Sequence, residues 1–468
     1  MQLPIIQPAP IVTEHSDAFQ DLFKNHCQFQ HFQNYLTGLI VLDNKTMANI
    51  TRCVLDSADK TNLSRFFSEA DWDVESINRE RVAYLLRKTK KHRLPARKSV
   101  LPIDDTLFEH VGSIFEYIDK HYNHGNNTYP LAHNLVTSHY VSGAVRFPVG
   151  WRLYRRYEEF TNWLALVEKH FPDATIPKRK KERNKFKRQV EPTLLADPEF
   201  LALHEAFCTK ISLAVALVKE AVEQELPFET VLFDSWYLAP ELLERLAENN
   251  KKWISILKIN RNISTNNLRI LDEDGKRIQF DKPKIKVEDL ISLIPPSAFR
   301  PVMVDDRTYY CFSKNVHIAS LGKVRLVISF DNPDLEGTCA ILVTNHLSWN
   351  AKKIIETYLL RWPIETFYQD AKQQLGLNQY RMRKAKAIQK HWCLVFVAYS
   401  FLHLDCLPVS RRHKVHKPIK TIGQIVRQQT QQLIENLLLH THKLLDQGID
   451  VSQVFVQLFA KQAYTMST

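Results

Sequence analysis

Two short apolar segments that each end in aspartate define the fold class of this 468-residue chain. Residues 99–106 read Ser-Val-Leu-Pro-Ile-Asp-Asp-Thr, and residues 230–234 read Thr-Val-Leu-Phe-Asp. Apolar, β-branched runs of this length predict buried strands, and the helical periodicity between and after them predicts an α/β fold. In such a sheet the side chains at the carboxyl ends of the strands meet at one rim. We therefore expect Asp105 and Asp234 at that rim, with Asp104 as the alternative to Asp105.

A third acid lies in a pattern with helical spacing, Tyr358-x-x-Arg361-x-x-x-Glu365, which Lys372 follows seven residues later. Steps of three, four and seven residues return to one face of an α-helix, so a helix predicted around residues 351–375 presents these four side chains together. Pro363 lies inside this segment and removes one backbone donor. The helix is therefore expected either to kink or to start at Pro363.

Three carboxylates beside cations form a residue set suited to metal-dependent phosphodiester chemistry. Three carboxylates can hold two divalent ions, and oxygen ligands without a nearby His or Cys favour Mg²⁺ or Mn²⁺ over Zn²⁺. Asp105, Asp234 and Glu365 are therefore the candidate catalytic and metal-binding residues, with two ions per site. On the helix face, Arg361 and Lys372 are candidates to hold adjacent phosphates, and Tyr358 to donate to a phosphate or stack on a base.

These segments resemble the DD-E transposases of bacterial insertion sequences that carry a Tyr-Arg-Glu-Lys signature, the insertion-sequence-four type and its seven-hundred-one-like relatives. The resemblance runs from residue 64 to about residue 403. It rests on residues 63–72 and on three further motifs, Asp104-Asp-Thr106, Leu232-Phe-Asp-Ser-Trp-Tyr237 and Tyr358-Leu-Leu-Arg-Trp-Pro-Ile-Glu-Thr-Phe367. Some relatives carry a base-trapping Trp where this chain has Ala340, and Trp236 or Trp349 are the candidates to replace it.

The resemblance implies an RNase H-like catalytic core. It carries the three catalytic roles to Asp105, Asp234 and Glu365, because the family's first acid directly precedes Thr as Asp105 precedes Thr106. The implied DNA-binding residues are Tyr358, Arg361, Trp362 and Lys372. Lys258, which follows the strand after Asp234, is a further candidate contact to the DNA end.

The chain is expected to divide into an N-terminal helical region, a core in two parts, an insertion and a C-terminal helical region. A helix-turn-helix over residues 45–68, with its turn near residue 57, competes with two ordinary bundle helices as the interpretation of the first region. The predicted ranges are 1–98 for a helical DNA-binding domain with a loose leader and a basic linker, 99–260 and 338–404 for the core, 261–337 for a β-rich insertion, and 405–468 for the C-terminal helices.

The surplus of 12 positive charges favours an extended anionic partner, with nucleic acid the expected one and a membrane surface the rival. Residues 178–188 carry eight of the cations and predict an exposed loop that contacts the DNA backbone. The longest apolar run, from about residue 392 to 401, is too short to span a bilayer. No export signal and no phosphate-binding Gly loop is visible, so neither a membrane nor a nucleotide cofactor is expected.

Seven scattered cysteines, none in a Cys-x-x-Cys pair, predict reduced thiols in a cytoplasmic protein. The resemblance to bacterial transposases implies that the protein associates with the nucleoid. His403 and Cys406 precede His413 and His416 with a spacing that imitates a zinc site. This spacing differs from that of the usual finger, and the first pair ends an apolar helix, so a structural role is preferred.

The predicted function is a cut-and-paste DNA transposase. It binds terminal inverted repeats as double-stranded DNA, cleaves at the element ends and joins the 3′ hydroxyl ends to target DNA. The family resemblance adds a homodimer that cleaves in trans and a hairpin intermediate. Two alternatives stay open, a transposase-derived DNA-binding protein without catalysis and an RNase H-like nuclease for branched DNA or RNA hybrids.

Overall fold

A computed structural model describes residues 2–55, 60–266, 268–408 and 420–463 of the chain. The fold is mixed α/β, with a large mixed sheet covered by helices. The strands are β1 Val100–Glu109, β2 Asp119–Lys120, β3 Leu131–Ser142, β4 Val145–Tyr154, β5 Thr230–Phe233, β6 Lys252–Ile256, β7 Asn262–Ser264, β8 Lys284–Lys286, β9 Arg300–Val304, β10 Arg307–Ile318, β11 Gly322–Phe330 and β12 Ala340–Thr344.

The helices lie before, between and after these strands, and three short 3₁₀ turns accompany them at Asp17–Leu22, Ala96–Lys98 and Pro296–Ala298. The helices are α1 Pro10–Ser16, α2 His26–Val41, α3 Met47–Cys53, α4 Lys60–Ser68, α5 Val74–Thr89, α6 Tyr157–Phe160, α7 Trp163–His170, α8 Lys180–Leu194, α9 Pro198–Ala206, α10 Lys210–Glu223, α11 Pro240–Glu248, α12 Val287–Leu293, α13 Ala351–Leu359, α14 Pro363–Leu375, α15 Ala385–Asp405, α16 Ile422–Asp446 and α17 Val451–Ala463.

The large sheet has the strand order β4-β3-β1-β5-β6-β12-β11-β10-β9, and β2 adds to the end of β3. β1, β3 and β4 form an antiparallel meander whose turn contains Gly143 at φ 65°. A positive φ of this kind favours Gly. The segments rich in Val, Tyr and Phe on either side of Gly143 predict a turn at this residue, and that prediction is confirmed. β5 and β6 run parallel to β1, and the predicted α/β class is confirmed.

The region predicted as a β-rich insertion contains β-structure of two kinds. β7 and β8 form a separate two-stranded sheet. β9, β10 and β11 instead continue the large sheet beyond β12. The strands of residues 300–330 are therefore built into the same sheet as the acid-bearing strands.

Two large hydrophobic cores flank the sheet. One contains α10, α11 and the apolar face of β10 and β11. The other joins the N-terminal helices to α14, α15 and α16, with buried residues from Ile5 to Leu433. The N-terminal helices therefore share their core with the helix that bears Glu365.

Three local predictions were wrong. The first 16 residues are not a loose leader, because Ile5, Ala9, Ile11 and Val12 are buried and α1 begins at Pro10. The second concerns residues 198–225, where the apolar pattern of the sequence predicts one long amphipathic helix. The segment is divided into α9 and α10, because Thr209 caps a new helix by accepting a hydrogen bond from the backbone N–H of Ser212.

The third wrong prediction concerns residues 178–188, which were expected to form a loop and instead enter helix α8. Phe186, Val190 and Leu194 recur every four residues and pack on Trp163 and Phe200, which supplies the apolar stripe that the charges obscured. The helical segment predicted over residues 351–375 starts anew at Pro363, one of the two outcomes expected there, and is described with the site below. The predicted turn near residue 57 and both His413 and His416 lie outside the described residues.

No single helix in the described ranges is long and apolar enough to cross a membrane. α9 and α10 meet the length and composition criteria only as a pair, and the two helices are bent by 52° relative to each other.

Candidate active site

The candidate site lies where β1 and β5 separate. The parallel pairing of these strands covers residues 100–102 of β1 and ends with Pro102 opposite Leu232. Asp104 and Asp105 follow on β1, and Asp234 follows directly after β5. β1 itself continues to Glu109 in its pairing with β3, so the first acids lie within a strand and not at its end as predicted. The separation of the two strands brings all three aspartates to one crevice.

Asp104 and Asp105 face opposite sides of the sheet because successive side chains in a strand alternate. Asp105 faces α10 and α11. Its Oδ2 accepts a hydrogen bond of 2.7 Å from Nζ of Lys210, the first residue of α10. Its Oδ1 accepts one of 2.9 Å from the hydroxyl of the buried Tyr237. Both oxygens of Asp105 are therefore hydrogen-bonded to residues that are distant in the sequence.

Asp104 faces α14, the helix that carries Glu365. The Arg361 guanidinium contacts Asp104 Oδ2, and its Nη1 lies 3.4 Å from Glu365 Oε1, so one cation joins two carboxylates. Burial raises the pKa of Asp104 to about 7; Arg361 opposes the rise, and Asp105 and Glu365 add to it. Arg361 therefore favours the ionised form of a carboxyl that burial favours in its protonated form.

Asp234 occupies a turn that its own carboxylate stabilises. Its Oδ1 accepts a hydrogen bond of 2.9 Å from the backbone N–H of Trp236, and the Ser255 hydroxyl donates to the Asp234 carbonyl. Burial raises the pKa of Asp234, and the charge of Asp105 adds to the rise. Asp234 and Asp105 are therefore electrostatic neighbours across the crevice.

The predicted single helix of residues 351–375 is broken between α13 and α14. Pro363 is the first residue of α14, where a missing N–H costs nothing, and residues 360–362 close i→i−3 hydrogen bonds. The break does not separate the signature residues. The Tyr358 hydroxyl lies 3.5 Å from the carbonyl oxygen of Phe233, next to Asp234, and Arg361 still reaches Glu365.

The remaining signature lysine is bound to β1. Lys372 Nζ donates to Thr106 Oγ1 at 2.8 Å and to the Leu107 carbonyl at 3.2 Å. α14 ends at Gly376, which has a φ of 67°; an added Cβ would lie 2.6 Å from Cγ of Lys45. Backbone geometry and close packing therefore require Gly376 where α14 ends, one helical turn after Lys372.

Two predicted DNA contacts are exposed beside the site. The Trp362 side chain is 67% exposed in the break between α13 and α14. Lys258 is exposed after β6, with Nζ 6.0 Å from the ring centre of Trp236, which follows Asp234 by two residues. Both residues therefore border the crevice on its solvent side, where a nucleic acid has access.

The donor set of the crevice fits divalent ions that prefer oxygen. The side chains that converge there are four carboxylates, and the cations Lys210 and Arg361 neutralise two of them. Three ligand atoms of His, Cys, Asp or Glu can hold a metal ion when they lie within 4.8 Å of one another. Among the described residues, only Glu14, His15 and Asp405 form such a group. The crevice acids are thus spaced more widely, with amino-acid cations beside them.

Sequence reasoning missed Lys210 and Tyr237 as partners of Asp105. Lys210 lies 105 residues from Asp105 and follows Thr209, whose capping position was the available signal for a helix start. Tyr237 was part of a quoted motif without a role. His403, one of the four residues with zinc-like spacing, has a structural partner instead. Its Nε2 accepts a hydrogen bond of 2.9 Å from the backbone N–H of Arg146.

Comparison with known families matches most of the chain. A family described as DDE superfamily endonuclease matches residues 18–270, and one described as Transposase DDE domain matches residues 168–401. Asp105 lies in the first match, Glu365 in the second and Asp234 in both. No curated protein matches the chain. Among solved structures, the NurA nuclease from Sulfolobus solfataricus aligns over 62% of this chain and 83% of its own, at 12% identity and a TM-score of 0.17, too low to support any argument.

Proposed function

Because this chain belongs to the DDE superfamily of endonucleases and transposases, we propose that it is a transposase that cleaves DNA at the ends of its own element and joins the 3′ hydroxyl ends to target DNA. The grouping of Asp104 and Glu365 around Arg361, with Asp234 as an electrostatic neighbour of Asp105, supports this proposal most directly. These acids come from segments about 130 residues apart in the sequence. Membership of the family makes the chain a nuclease-type enzyme.

The core is proposed to be RNase H-like. The antiparallel meander β4-β3-β1, continued by the parallel strands β5 and β6, supports this. The Tyr-Arg-Glu-Lys group is proposed because Tyr358, Arg361, Glu365 and Lys372 all lie around the crevice despite the helix break.

Two Mg²⁺ or Mn²⁺ ions are proposed as the cofactors, held by Asp234, Glu365 and Asp105, with Asp104 as the alternative first acid. When bound, such ions activate an attacking oxygen and stabilise a leaving oxygen in phosphodiester cleavage. Tyr237 holds the Asp105 carboxylate by donating to Oδ1. Arg361 and Lys210 neutralise the acids and are proposed to turn to DNA phosphates, because charge-assisted contacts to phosphate replace those to carboxylate at little cost.

The exposed side chains are proposed to position the DNA. Trp362 offers a flat ring for stacking on a base, and Lys258 offers a cation for a backbone phosphate. Six cations of residues 178–188 are exposed at and around the start of α8 and are proposed as further backbone contacts. Lys372 donates to Thr106 in this structure. We propose that the lysine exchanges this contact for one to the phosphate beside the cleaved end.

Recognition of the terminal inverted repeats is proposed for residues 1–98, and a homodimer for the complex that joins two ends. The other proposed units are 99–260 with 338–404, 261–337 and 405–468. A cut-and-paste pathway with a hairpin intermediate and a cytoplasmic, nucleoid-associated location in bacteria complete the proposal.

The test is cleavage and end joining on DNA that carries the repeats flanking the reading frame. Asp234→Asn and Glu365→Gln are expected to abolish both reactions while end binding, measured by gel shift at fixed salt, changes less than about threefold. Glu356→Gln, which removes an exposed acid of α13 that pairs with Lys352, is the matched control and should retain both reactions. Cleavage by both acid variants at the wild-type rate would reject the proposal, and cleavage of branched DNA without end joining would favour the nuclease alternative.

A further inference from the structure

Glu14, His15 and Asp405 form a second cluster, which contains none of the crevice residues. One ligand atom from each of the three residues lies within 4.8 Å of the other two. Glu14 and His15 belong to α1, and Asp405 is the last residue of α15. The cluster therefore lies where the N-terminal segment meets the end of the central buried helix.

The His15 imidazole is held with one nitrogen unused. Nδ1 lies 3.0 Å from the Tyr84 hydroxyl, and the ring packs edge-on against Tyr84 and Phe401. The residue is only 4% exposed. Its Nε2 is buried without a hydrogen-bond partner in the described part of the chain and lies 4.0 Å from Asp405 Oδ1, beyond hydrogen-bond distance. A buried polar atom without a partner is costly, so this nitrogen requires a proton-sharing or metal partner.

We propose that Glu14, His15 and Asp405 bind a divalent transition metal ion of the zinc class. One imidazole and two carboxylates are zinc ligands, and the nitrogen ligand selects against Mg²⁺ and Ca²⁺. The hydrogen bond from Nδ1 to Tyr84 fixes the ring so that Nε2 faces the carboxylates, as second-sphere partners do in metal sites.

The geometry requires only a small contraction. Ligands about 2.0–2.2 Å from a tetrahedral zinc ion lie about 3.3–3.6 Å apart. Glu14 is exposed and Asp405 half-exposed, so both carboxylates can approach the fixed imidazole. The charge of Lys88 lowers the pKa of His15, and the charge of Lys420 lowers that of Asp405. A bound ion would therefore compete with these two lysines for the same side chains.

Binding at this site fastens α1 to the end of α15. α1 is seven residues long and has no side-chain cap at its N-terminus, so it depends on tertiary contacts. The ion thus stabilises the N-terminal segment against the helical core, independently of the proposed catalytic ions.

The test is a zinc titration of the full chain stripped of metal, with Mg²⁺ in excess to fill the crevice. Cys27→Ser and Cys208→Ser remove the exposed thiols that bind zinc adventitiously. We expect one zinc equivalent, lost or weakened at least about tenfold in Glu14→Gln and Asp405→Asn. Zinc at about 100 times its Kd should raise the Tm by about 3 °C.

Tyr84→Phe leaves His15 in place but removes its fixing hydrogen bond, and should weaken zinc about 10- to 100-fold. The exposed Asp17→Asn is the matched control, and Glu365→Gln tests independence from the crevice; both should bind zinc as the wild type does. An unchanged zinc stoichiometry and affinity in Glu14→Gln and Asp405→Asn would overturn the proposal. Displacement of zinc by Mg²⁺ at similar concentrations would also overturn the proposal. Such displacement would show that only oxygen atoms bind the ion and that the His15 imidazole does not.

Discussion

Lys210 occupies the carboxylate that the proposed metal ions require, so removing it should strengthen metal binding. Lys210→Met keeps most of the side-chain volume between the rings of Tyr154 and Trp236 but removes the charge. In the wild type an ion at Asp105 must first displace the Lys210 ammonium from Oδ2. In the variant Oδ2 no longer has a cation to displace, while Tyr237 still donates to Oδ1.

The size of the effect follows from the contact that is lost. Lys210 and Asp105 side chains are 16% and 21% exposed, so solvent screens the pair only weakly. A hydrogen bond between charged groups contributes about 1.5–3 kcal/mol. With about 1.36 kcal/mol per factor of ten, Mn²⁺ should bind about 10- to 150-fold more tightly to Lys210→Met. The metal-free variant should also unfold at a lower temperature, because Asp105 keeps a buried charge without its cation.

The assay is calorimetric titration of the full chain with Mn²⁺ in the absence of DNA, so activity does not enter the measurement. Lys219→Met is the matched control, because Lys219 lies on the same helix, is 64% exposed and pairs with Glu223. It should leave the Mn²⁺ affinity unchanged. A weaker or equal affinity in Lys210→Met would refute the reasoning and show that Lys210 positions Asp105 for the metal.

Three further outcomes are expected. Burial raises the pKa of Asp104 to about 7, so this carboxyl keeps a proton in the native state between about pH 4 and 7. Mn²⁺ affinity should therefore rise by up to tenfold per pH unit as pH increases through this window. Asp104→Asn should remove this pH dependence in a calorimetric pH series. Burial raises the pKa of Glu158, but hydrogen bonds from Arg183 and Lys187 lower it to about 2, so this contribution to stability is present above about pH 4.5 and is lost as pH falls toward 2. Glu158→Gln should accordingly increase hydrogen exchange in α8 at neutral pH, with Glu182→Gln as an exposed control, and equal protection in both variants would contradict it. Arg361→Ala and Lys372→Ala should slow processing of pre-nicked end DNA by roughly 100-fold, whereas wild-type rates in a time course would show that neither cation holds the liberated end.

The strands and their acids were predictable because their signals are local. An apolar run followed by Asp234 needs no distant information, and the turn at Gly143 follows from one residue's conformational freedom. The partners of the acids were not predictable, because Lys210 reaches Asp105 only through the placement of α10 across the sheet. Asp104 and Asp105 likewise acquire different neighbours from strand alternation, which the sequence alone does not orient.

In two segments, competing signals left the local structure hard to predict. The charges of residues 178–188 obscured the apolar stripe of Phe186, Val190 and Leu194, whose packing partners come from neighbouring helices. Around Pro363 the helical spacing suggested one helix, while the proline favoured a start. The spacing still predicted which side chains meet, because a tight turn preserves the direction of the face.

The shared core between the N-terminal helices and α14 sets an order of events during synthesis. Ile364, Phe367 and Leu375 of α14 are buried together with Phe32 and Leu39 near the start of the chain and with α16. A ribosome has therefore released Asp105 and Asp234, the two proposed catalytic aspartates, long before the scaffold that fixes Glu365 is complete. A nascent chain of 360 residues lacks Glu365, so the proposed site is incomplete until α14 and the helices that pack on it have emerged.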